Sequence, residues 1–115
     1  MTTVVSRDSA AHYSWGGVCD GWRLLDGTNL SVIEERIPPG AGERLHAHAA
    51  ARQLFYVLSG RLTIDIADET HVLGQGDAVH IEPGSPHRVK NAGADDAWFL
   101  VISSPTTRGD RTNLE

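Results

Sequence analysis

Residues 40–91 decide the fold of this chain: GAGERLHAHAAARQLFYVLSGRLTIDIADETHVLGQGDAVHIEPGSPHRVKN. The stretch consists of short apolar runs separated by Gly, Pro and Asp, which are the residues that mark turns between β-strands. In residues 61–66 apolar and polar side chains alternate, which places Leu62, Ile64 and Ile66 on one face. The pattern predicts a sheet with one buried face and one solvated face.

The same stretch carries four residues that can converge on one site. His46 and His48 are two positions apart, so on an extended strand both imidazoles point the same way. Gln53 opens the apolar run 54–58, and His87 follows a Pro-Gly-Ser-Pro turn. A single strand histidine is more often solvated or structural than ligating. The four residues together indicate a metal site, because a sandwich or barrel can bring all of them to one place.

Two spacings in this stretch resemble the two motifs of the cupin superfamily. The first, residues 40–60, contains Gly40, the His-Ala-His triplet at 46–48, Gln53 and Gly60. The second, residues 76–91, contains Gly76, the Gly-Ser-Pro-His run at 84–87 and Asn91. The chain departs from the pattern at Gln53, where the family usually has Glu, and at Glu82, where it has Pro.

The resemblance implies an all-β, cupin-type jelly-roll barrel or sandwich with a metal held by His46, His48, Gln53 and His87. Three imidazoles suit a divalent transition metal, namely Fe, Mn, Ni, Cu or Zn, better than Mg or Ca. Three protein ligands on one side of an ion leave positions open for water or substrate. Gln53 could donate its carbonyl oxygen to the metal or hydrogen-bond a metal-bound water.

The chain outside the motifs fits one domain. Its 115 residues are enough for a single core, and about eight or nine short strands without a helical period predict a sandwich or barrel. We take residues 1–115 as a single cupin domain. Residues 1–11 are predicted to be a polar arm, and residues 104–115 a mobile tail or a strap across a partner.

Residues 54–58 are apolar on both faces. If Gln53, Phe55 and Val57 point inward, then three side chains must be covered from outside by a second sheet or a second subunit: Leu54, Tyr56 and Leu58. His12, Tyr13, Trp15 and Trp22 form an aromatic group that packs on a neighbour or closes one end of the core. Together these features favour a symmetric homodimer, which is common among cupins.

Composition excludes several classes of function. The chain is 40% hydrophobic, and no stretch approaches the ~20 apolar residues of a membrane span. Residues 1–10 lack the basic start and apolar centre of a signal peptide, and Cys19 is a single cysteine, more often a small buried residue than a nucleophile. The chain is therefore expected in the cytoplasm. A net charge of -5 without a basic run makes nucleic acid an unfavourable partner.

Other polar residues are weaker candidates for a role at the site. His80 and Glu82 share one face of their strand and could form an acid/base pair or an exposed edge. Tyr56 is predicted to face away from Gln53. Glu34-Glu35 is predicted to face solvent, with nothing to orient it as a carboxylate dyad. Three arginines could hold a substrate carboxylate, although most charged strand residues are solvated: Arg52, Arg61 and Arg88.

The sequence predicts a small-molecule site inside the barrel and leaves the reaction open. The first hypothesis is a metal-dependent enzyme, with an oxygenase acting on an enolisable or catecholic substrate ranked above a non-redox isomerase, cyclase or lyase. The second is a module that binds a small ligand without turning it over. A purely structural cupin is disfavoured, since it would need no histidines at ligand spacing.

Overall fold

The structure is a computed structural model that describes residues 3–115. Eleven β-strands run through this part of the chain: β1 (Ala11–Trp15), β2 (Cys19–Asp26), β3 (Ser31–Ile37), β4 (His46–Ala47), β5 (Arg52–Ser59), β6 (Leu62–Ile66), β7 (Glu69–Leu73), β8 (Ala78–Ile81), β9 (His87–Lys90), β10 (Ala97–Ser104) and β11 (Thr112–Asn113). Within residues 3–115, no helix has the length and apolar character needed to reach across a membrane.

The strands form two antiparallel sheets that face each other. The six-stranded sheet has the order β1-β2-β3-β10-β5-β8, and the five-stranded sheet has the order β11-β4-β9-β6-β7. Strands that are distant in sequence are neighbours in each sheet, as in a jelly roll. The all-β jelly-roll prediction is confirmed, and both predicted motifs contribute strands to both sheets.

The core lies between the two sheets. In β5 and β10 every second side chain is buried, including Val57 and Phe99, and the rings of Phe55 and Phe99 stack 5.9 Å apart. Leu62 and Ile64 pack against them from the five-stranded sheet. Each such side chain stabilises the fold by about 1.5–3 kcal/mol. The core fills one end of the sandwich and leaves the other end for polar residues.

The backbone at Gly60 and Gly84 shows why the two motifs have glycine at these positions. Gly60 has φ +77°, and a Cβ there would collide with the carbonyl oxygen of Asp96. Gly84 has φ +82°, and its N–H donates to the carbonyl of His48 at 2.6 Å. A side chain at φ > 0 is disfavoured. The turn at Gly84 therefore ties the second motif to a histidine of the first.

The N-terminal aromatics separate into two groups. Strands β1 and β2 form a hairpin at the edge of the six-stranded sheet, and Trp15 packs against the core. Trp22 instead lies outside, stacked on Trp98 at 5.6 Å, and Arg7 sits 4.3 Å above the Trp98 ring. One indole thus helps to close the core, and the other is part of the surface.

The C-terminal segment differs from the prediction of a mobile tail or a strap across a partner. Strand β11 pairs with β4 of the same chain, and the N–H of Leu114 donates to the carbonyl of Leu45 at 2.9 Å. Arg108 forms an ion pair with Asp26 at 2.8 Å. The segment is held on its own chain because β4 would otherwise be an unpaired edge.

The outer face of the six-stranded sheet is apolar and uncovered. Leu54 and Tyr56 point outward as predicted and are 36% and 38% exposed. Leu100 and Ile102 are their cross-strand partners on β10. Since the second sheet packs only on the inner face, it does not cover this surface.

Candidate metal centre

Three histidines meet in the five-stranded sheet. His46 on β4 lies opposite His87 on β9, and His48 follows β4 by one residue. The ring centroids lie 4.4 Å apart for His46 and His87, 4.9 Å for His46 and His48, and 5.6 Å for His48 and His87. One nitrogen from each ring lies within 4.8 Å of the other two. This is an arrangement that one ion can occupy.

Backbone carbonyls orient all three imidazoles. The Nδ1 atoms of His46, His48 and His87 lie 2.8, 2.8 and 2.9 Å from the carbonyl oxygens of Arg44, Asp110 and Ser85, in that order. A carbonyl oxygen only accepts, so each Nδ1 carries the proton and donates it. Each neutral ring therefore keeps its Nε2 lone pair free. This tautomer is the one in which histidine commonly binds a metal through Nε2.

Burial keeps the three rings neutral. It is the largest cause that lowers the pKa of His46 to about 3, and it also lowers the pKa of His48 and of His87. Desolvation disfavours the imidazolium because a charge loses its hydration in the interior. At neutral pH the cluster presents three unprotonated donor atoms.

Two buried polar atoms at the site have no hydrogen-bond partner among residues 3–115. One is Nε2 of His87 and the other is Oε1 of Gln53. Gln53 lies on the six-stranded sheet, where its amide nitrogen donates to Oγ of Ser103 at 3.1 Å. Unpaired buried polar atoms are costly, and both of these atoms are lone-pair donors. The residues present therefore fit a metal ion with a bound water.

A cavity of about 200 Å³ opens beside the histidines. His46, His48 and Gln53 form one part of its wall, and apolar side chains such as Phe55 and Val101 form another. The remaining wall is polar and was not predicted from sequence: Tyr13, Glu35, Glu43 and Arg111. The site therefore contains ionisable groups besides the four neutral ligands.

Glu35 points into the barrel, so the prediction that Glu34-Glu35 faces solvent is wrong for Glu35. The hydroxyl of Tyr13 donates to its carboxyl group at 3.0 Å. Burial raises the pKa of Glu35 to about 7, against the opposing effect of this hydrogen bond. Burial and the Glu35 charge also raise the pKa of Tyr13. Ile33, Glu35 and Ile37 alternate along β3, and that period could have identified Glu35 as inward.

Glu43 interacts with both the carboxyl group of Glu35 and the histidine cluster. Its Oε1 accepts the N–H of Val89 at 3.1 Å and lies 3.9 Å from Nε2 of His46. Burial, followed by the charge of Glu35, raises the pKa of Glu43 to about 8. Two acids that share a poorly hydrated site do not both ionise easily. The cavity therefore retains protons at neutral pH.

Arg111 places a positive charge at the cavity, because the C-terminal segment forms part of the cavity wall. Its guanidinium lies 3.8 Å from Oε2 of Glu43. The arginines predicted for this role lie elsewhere, with Arg88 bound to Asp65 and Glu115 on the surface. The other two are not among the residues that line the cavity: Arg52 and Arg61.

The remaining predicted candidates lie outside the cavity. His80 and Glu82 form an exposed pair with their side chains 3.5 Å apart. Tyr56 lies on the outer face of the sheet, as predicted. Tyr56 belongs to β5, and His80 on β8 pairs with β5. The side chains of β5 that point inward are Gln53, Phe55 and Val57. Strand alternation therefore keeps this pair and Tyr56 away from the cavity.

The cavity thus joins two kinds of chemistry within one small volume. On one side are nitrogen donors that suit a Lewis-acidic ion. On the other side are the Glu35 carboxyl group, which can hold and release a proton near neutral pH, and the Tyr13 phenol, which donates a hydrogen bond to it. The apolar wall restricts the access of water to the cavity.

Comparison with known proteins identifies the family of this chain. The model of the family described as "Cupin domain" matches residues 33–103. An uncharacterized protein of Methanocaldococcus jannaschii is 28% identical over 91 residues, which cover 79% of this chain and 73% of that protein. Two further curated relatives are matched over 55% and 43% of their length.

Solved structures share the fold at low identity. A predicted oxalate decarboxylase from Thermotoga maritima superposes with a TM-score of 0.82 at 19% identity, covering 90% of this chain and all of that one. The polyketide cyclase RemF from Streptomyces resistomycificus gives 0.84 at 22% identity, covering 100% of this chain and 87% of that one. At such identities the likeness concerns the fold.

We predict that replacing Glu35 with Gln reduces the fall in stability of the metal-free protein between about pH 4.5 and 7, in which Glu43 still titrates. The folded pKa of Glu35, about 7, is raised above its ordinary value of 4.5. The folded state therefore holds a proton that the unfolded state releases between these values, and stability falls as pH rises through this window. The loss is on the order of 3 kcal/mol. Denaturant unfolding at pH 5, 6, 7 and 8 measures it.

Glu34→Gln is the matched control, because Glu34 is the neighbouring acid that pairs with Arg7 on the outside. The histidines act in the opposite direction below pH 6.5, since their folded pKa is lowered, and both variants keep them. The difference between the two variants therefore reports the titration of Glu35. Parallel profiles for the native protein and Glu35→Gln would contradict the assignment.

Proposed function

This chain belongs to the cupin domain family, and from that premise we propose that it is a metal-dependent enzyme that moves protons on an enolisable small molecule. The observation that carries the proposal is the cavity shared by neutral histidines and the Tyr13–Glu35 pair. A non-redox isomerase, cyclase or lyase uses such a combination. The similar fold of a polyketide cyclase supports small carbonyl compounds as the substrate class.

His46, His48 and His87 would hold a divalent transition metal, with Gln53 as a fourth ligand or as the partner of a bound water. Bound there, the metal would supply a Lewis acid that polarises a substrate carbonyl. Because all four side chains are neutral, the ion would keep its full charge. Redox-active iron, copper, nickel or manganese and redox-inactive zinc all accept imidazole nitrogen.

Glu35 is the proton carrier in this proposal. A carboxyl group with a pKa near 7 accepts a proton and returns it at neutral pH with little energetic penalty. Tyr13 holds that carboxyl group by a hydrogen bond from its hydroxyl group. Phe55 and Val101 keep the opposite wall apolar, so that the proton is returned to the substrate and not lost to water. Arg111 supplies the positive charge for an anionic substrate.

An oxygenase is the second candidate. The observation that favours it is the set of three imidazole donors with room for further ligands in the cavity, which suits iron, copper or nickel. From sequence alone, an oxygenase ranked above a non-redox isomerase, cyclase or lyase. The half-buried Tyr13–Glu35 pair moves proton transfer ahead of it, because an oxygenase has no evident need for a group that titrates near pH 7.

We expect that the metal-loaded protein exchanges the acidic C–H protons of a substrate in D₂O. The assay incubates it with 2-oxo acids, 3-oxo acids and 1,3-diketones, and it follows the loss of the C–H signal by NMR. Glu35→Gln should slow the exchange by about 10²-fold or more, since it removes the acid/base group. Glu34→Gln should leave the rate unchanged.

An oxygen electrode run on the same panel separates the two candidates. Oxygen consumption that depends on the metal would favour the oxygenase and overturn proton transfer as the main reaction. Saturable binding without exchange and without oxygen uptake would turn the proposal into a non-catalytic ligand-binding cupin.

We predict about one transition metal per chain when the protein is purified without chelator or affinity tag and examined by elemental analysis. His48→Ala should lose the metal, because it removes one of three donor atoms. His71→Ala is the control, since His71 is an exposed histidine on β7, outside the cluster. Unchanged metal content in His48→Ala, with an intact circular dichroism spectrum, would contradict the site.

Gln53→Glu addresses the fourth ligand. A carboxylate at this position adds a negative charge and should tighten metal retention against a chelator. Weaker retention would show that Gln53 acts through a water. Elemental analysis also identifies the metal.

We further propose a homodimer that forms through the outer face of the six-stranded sheet. Leu54, Tyr56, Leu100 and Ile102 make a continuous apolar surface there, and the chain's own second sheet lies on the opposite side. The second sheet does not cover this surface, which supports a second subunit as its cover. A C2 pair places the same surface on both partners.

Tyr56→Asp should convert the dimer to a monomer in light scattering coupled to size-exclusion chromatography. Burying an unpaired carboxylate in an apolar interface is unfavourable. Val72→Asp is the control, because Val72 is 63% exposed on the other sheet. A native protein that is already monomeric at micromolar concentration would refute the dimer.

The remaining proposals concern compartment and partners. We propose a cytoplasmic location, because Cys19 is an unpaired buried thiol whose pKa is raised to about 11 by burial and therefore needs no oxidising environment. A small molecule is the proposed partner. Nucleic acid is not, given the net charge of -5.

A further inference from the structure

The C-terminal segment forms part of the wall of the cavity. Thr107 and Arg111 line it, and β11 pairs with β4, the strand that carries His46. Arg108 and Glu115 anchor the segment at its two ends, by contacts with Asp26 and with the N–H of Leu45. Asp110 lies between these anchors, next to the histidine cluster.

Asp110 makes two sets of hydrogen bonds. Its carboxylate accepts three consecutive backbone N–H groups, those of Ala49 at 2.8 Å, Ala50 at 3.1 Å and Ala51 at 3.0 Å. Its own carbonyl accepts Nδ1–H of His48 at 2.8 Å. The carboxylate therefore holds the turn that follows His48, while the carbonyl orients the ring.

His48 differs in this respect from the other two histidines. The carbonyls that orient His46 and His87 come from Arg44 and Ser85, each two residues earlier in the chain. The carbonyl that orients His48 comes from a residue 62 positions away. His46 and His87 are thus oriented locally, whereas His48 has its ring fixed only when the C-terminal segment is docked.

We propose that Asp110 is the positioning residue of His48, and that docking of the C-terminal segment and metal binding stabilise each other. The inference rests on the proposed function in one respect, since it assumes that the histidines hold a metal. With the segment docked, His48 is held as the Nδ1–H tautomer with Nε2 free towards the cluster. With the segment undocked, the ring rotates and its tautomer is unrestrained. By linkage, a metal that needs the docked state also favours it.

The first test uses the metal-free protein. Nitrogen-15 NMR of the imidazoles reports the tautomer of each histidine separately. In Asp110→Ala we expect the His48 signals to shift towards a mixture of tautomers, with those of His46 and His87 unchanged. Equal changes at all three rings would indicate general loosening and would overturn the inference.

The second test measures affinity for Zn²⁺ and Co²⁺ by chelator competition. Asp110→Ala should weaken binding by about 10–100-fold, the usual effect of losing a group that orients a ligand. Asp110→Asn should be intermediate, because one amide oxygen can still accept N–H bonds. Arg108→Ala is the matched comparison: it removes an exposed ion pair that contributes little to docking of the same segment and does not touch His48, so affinity should fall by less than about threefold.

Hydrogen exchange completes the test. Adding Zn²⁺ to the native protein should increase protection of the amides of residues 49–51 and 106–115, and the increase should be absent in Asp110→Ala. Unchanged affinity in Asp110→Ala would overturn the inference. If the native protein binds neither ion, the proposed function fails, and the imidazole spectra alone decide whether Asp110 positions His48.

Discussion

The structure of this site depends on one interaction made three times, a hydrogen bond from Nδ1 of a buried histidine to a backbone carbonyl. Each bond satisfies one ring nitrogen and leaves the other with a free lone pair in a place that water reaches poorly. The interior lowers the pKa of each ring, so protons do not compete for that lone pair at neutral pH. Ligand geometry and ligand charge are therefore set by the backbone before any ion binds, which is the condition for a preorganised site.

The two sheets supply opposite electrostatic properties to one cavity. The five-stranded sheet contributes neutral nitrogen donors, and β1 and β3 of the other sheet contribute the Tyr13–Glu35 pair. Burial favours the uncharged form of both sets, lowering the pKa of the histidines and raising that of Glu35. The same desolvation thus frees the nitrogens of protons and keeps a proton on the carboxyl group. The two titrations therefore oppose each other between about pH 4.5 and 6.5, where the histidines make stability rise with pH and Glu35 makes it fall, and above pH 6.5 the fall from Glu35 is no longer opposed by the histidines.

Much of the fold and part of the site could be predicted from local pattern. Alternation in residues 53–58 correctly assigned Gln53 and Phe55 to the interior, because a strand has a side-chain period of two. His46 and His48 share a face for the same reason. Glu35 was missed although Ile33 and Ile37 flank it at the same period, because a charged residue was assumed to be solvated. That assumption fails where a tyrosine hydroxyl supplies a hydrogen bond in place of water.

The sequence by itself determined the all-β class, the turns at the motif glycines and the three histidines, since each follows from spacing along one or two strands. Only the tertiary structure decided that Tyr13 and Arg111 line the cavity and that Asp110 orients His48. Asp110 reaches His48 across 62 residues, and Tyr13 reaches Glu35 across 22. Such contacts arise from the order of strands within a sheet, and no local period encodes that order. The chain termini therefore became part of the site through strand pairing, although their own composition resembles that of surface arms.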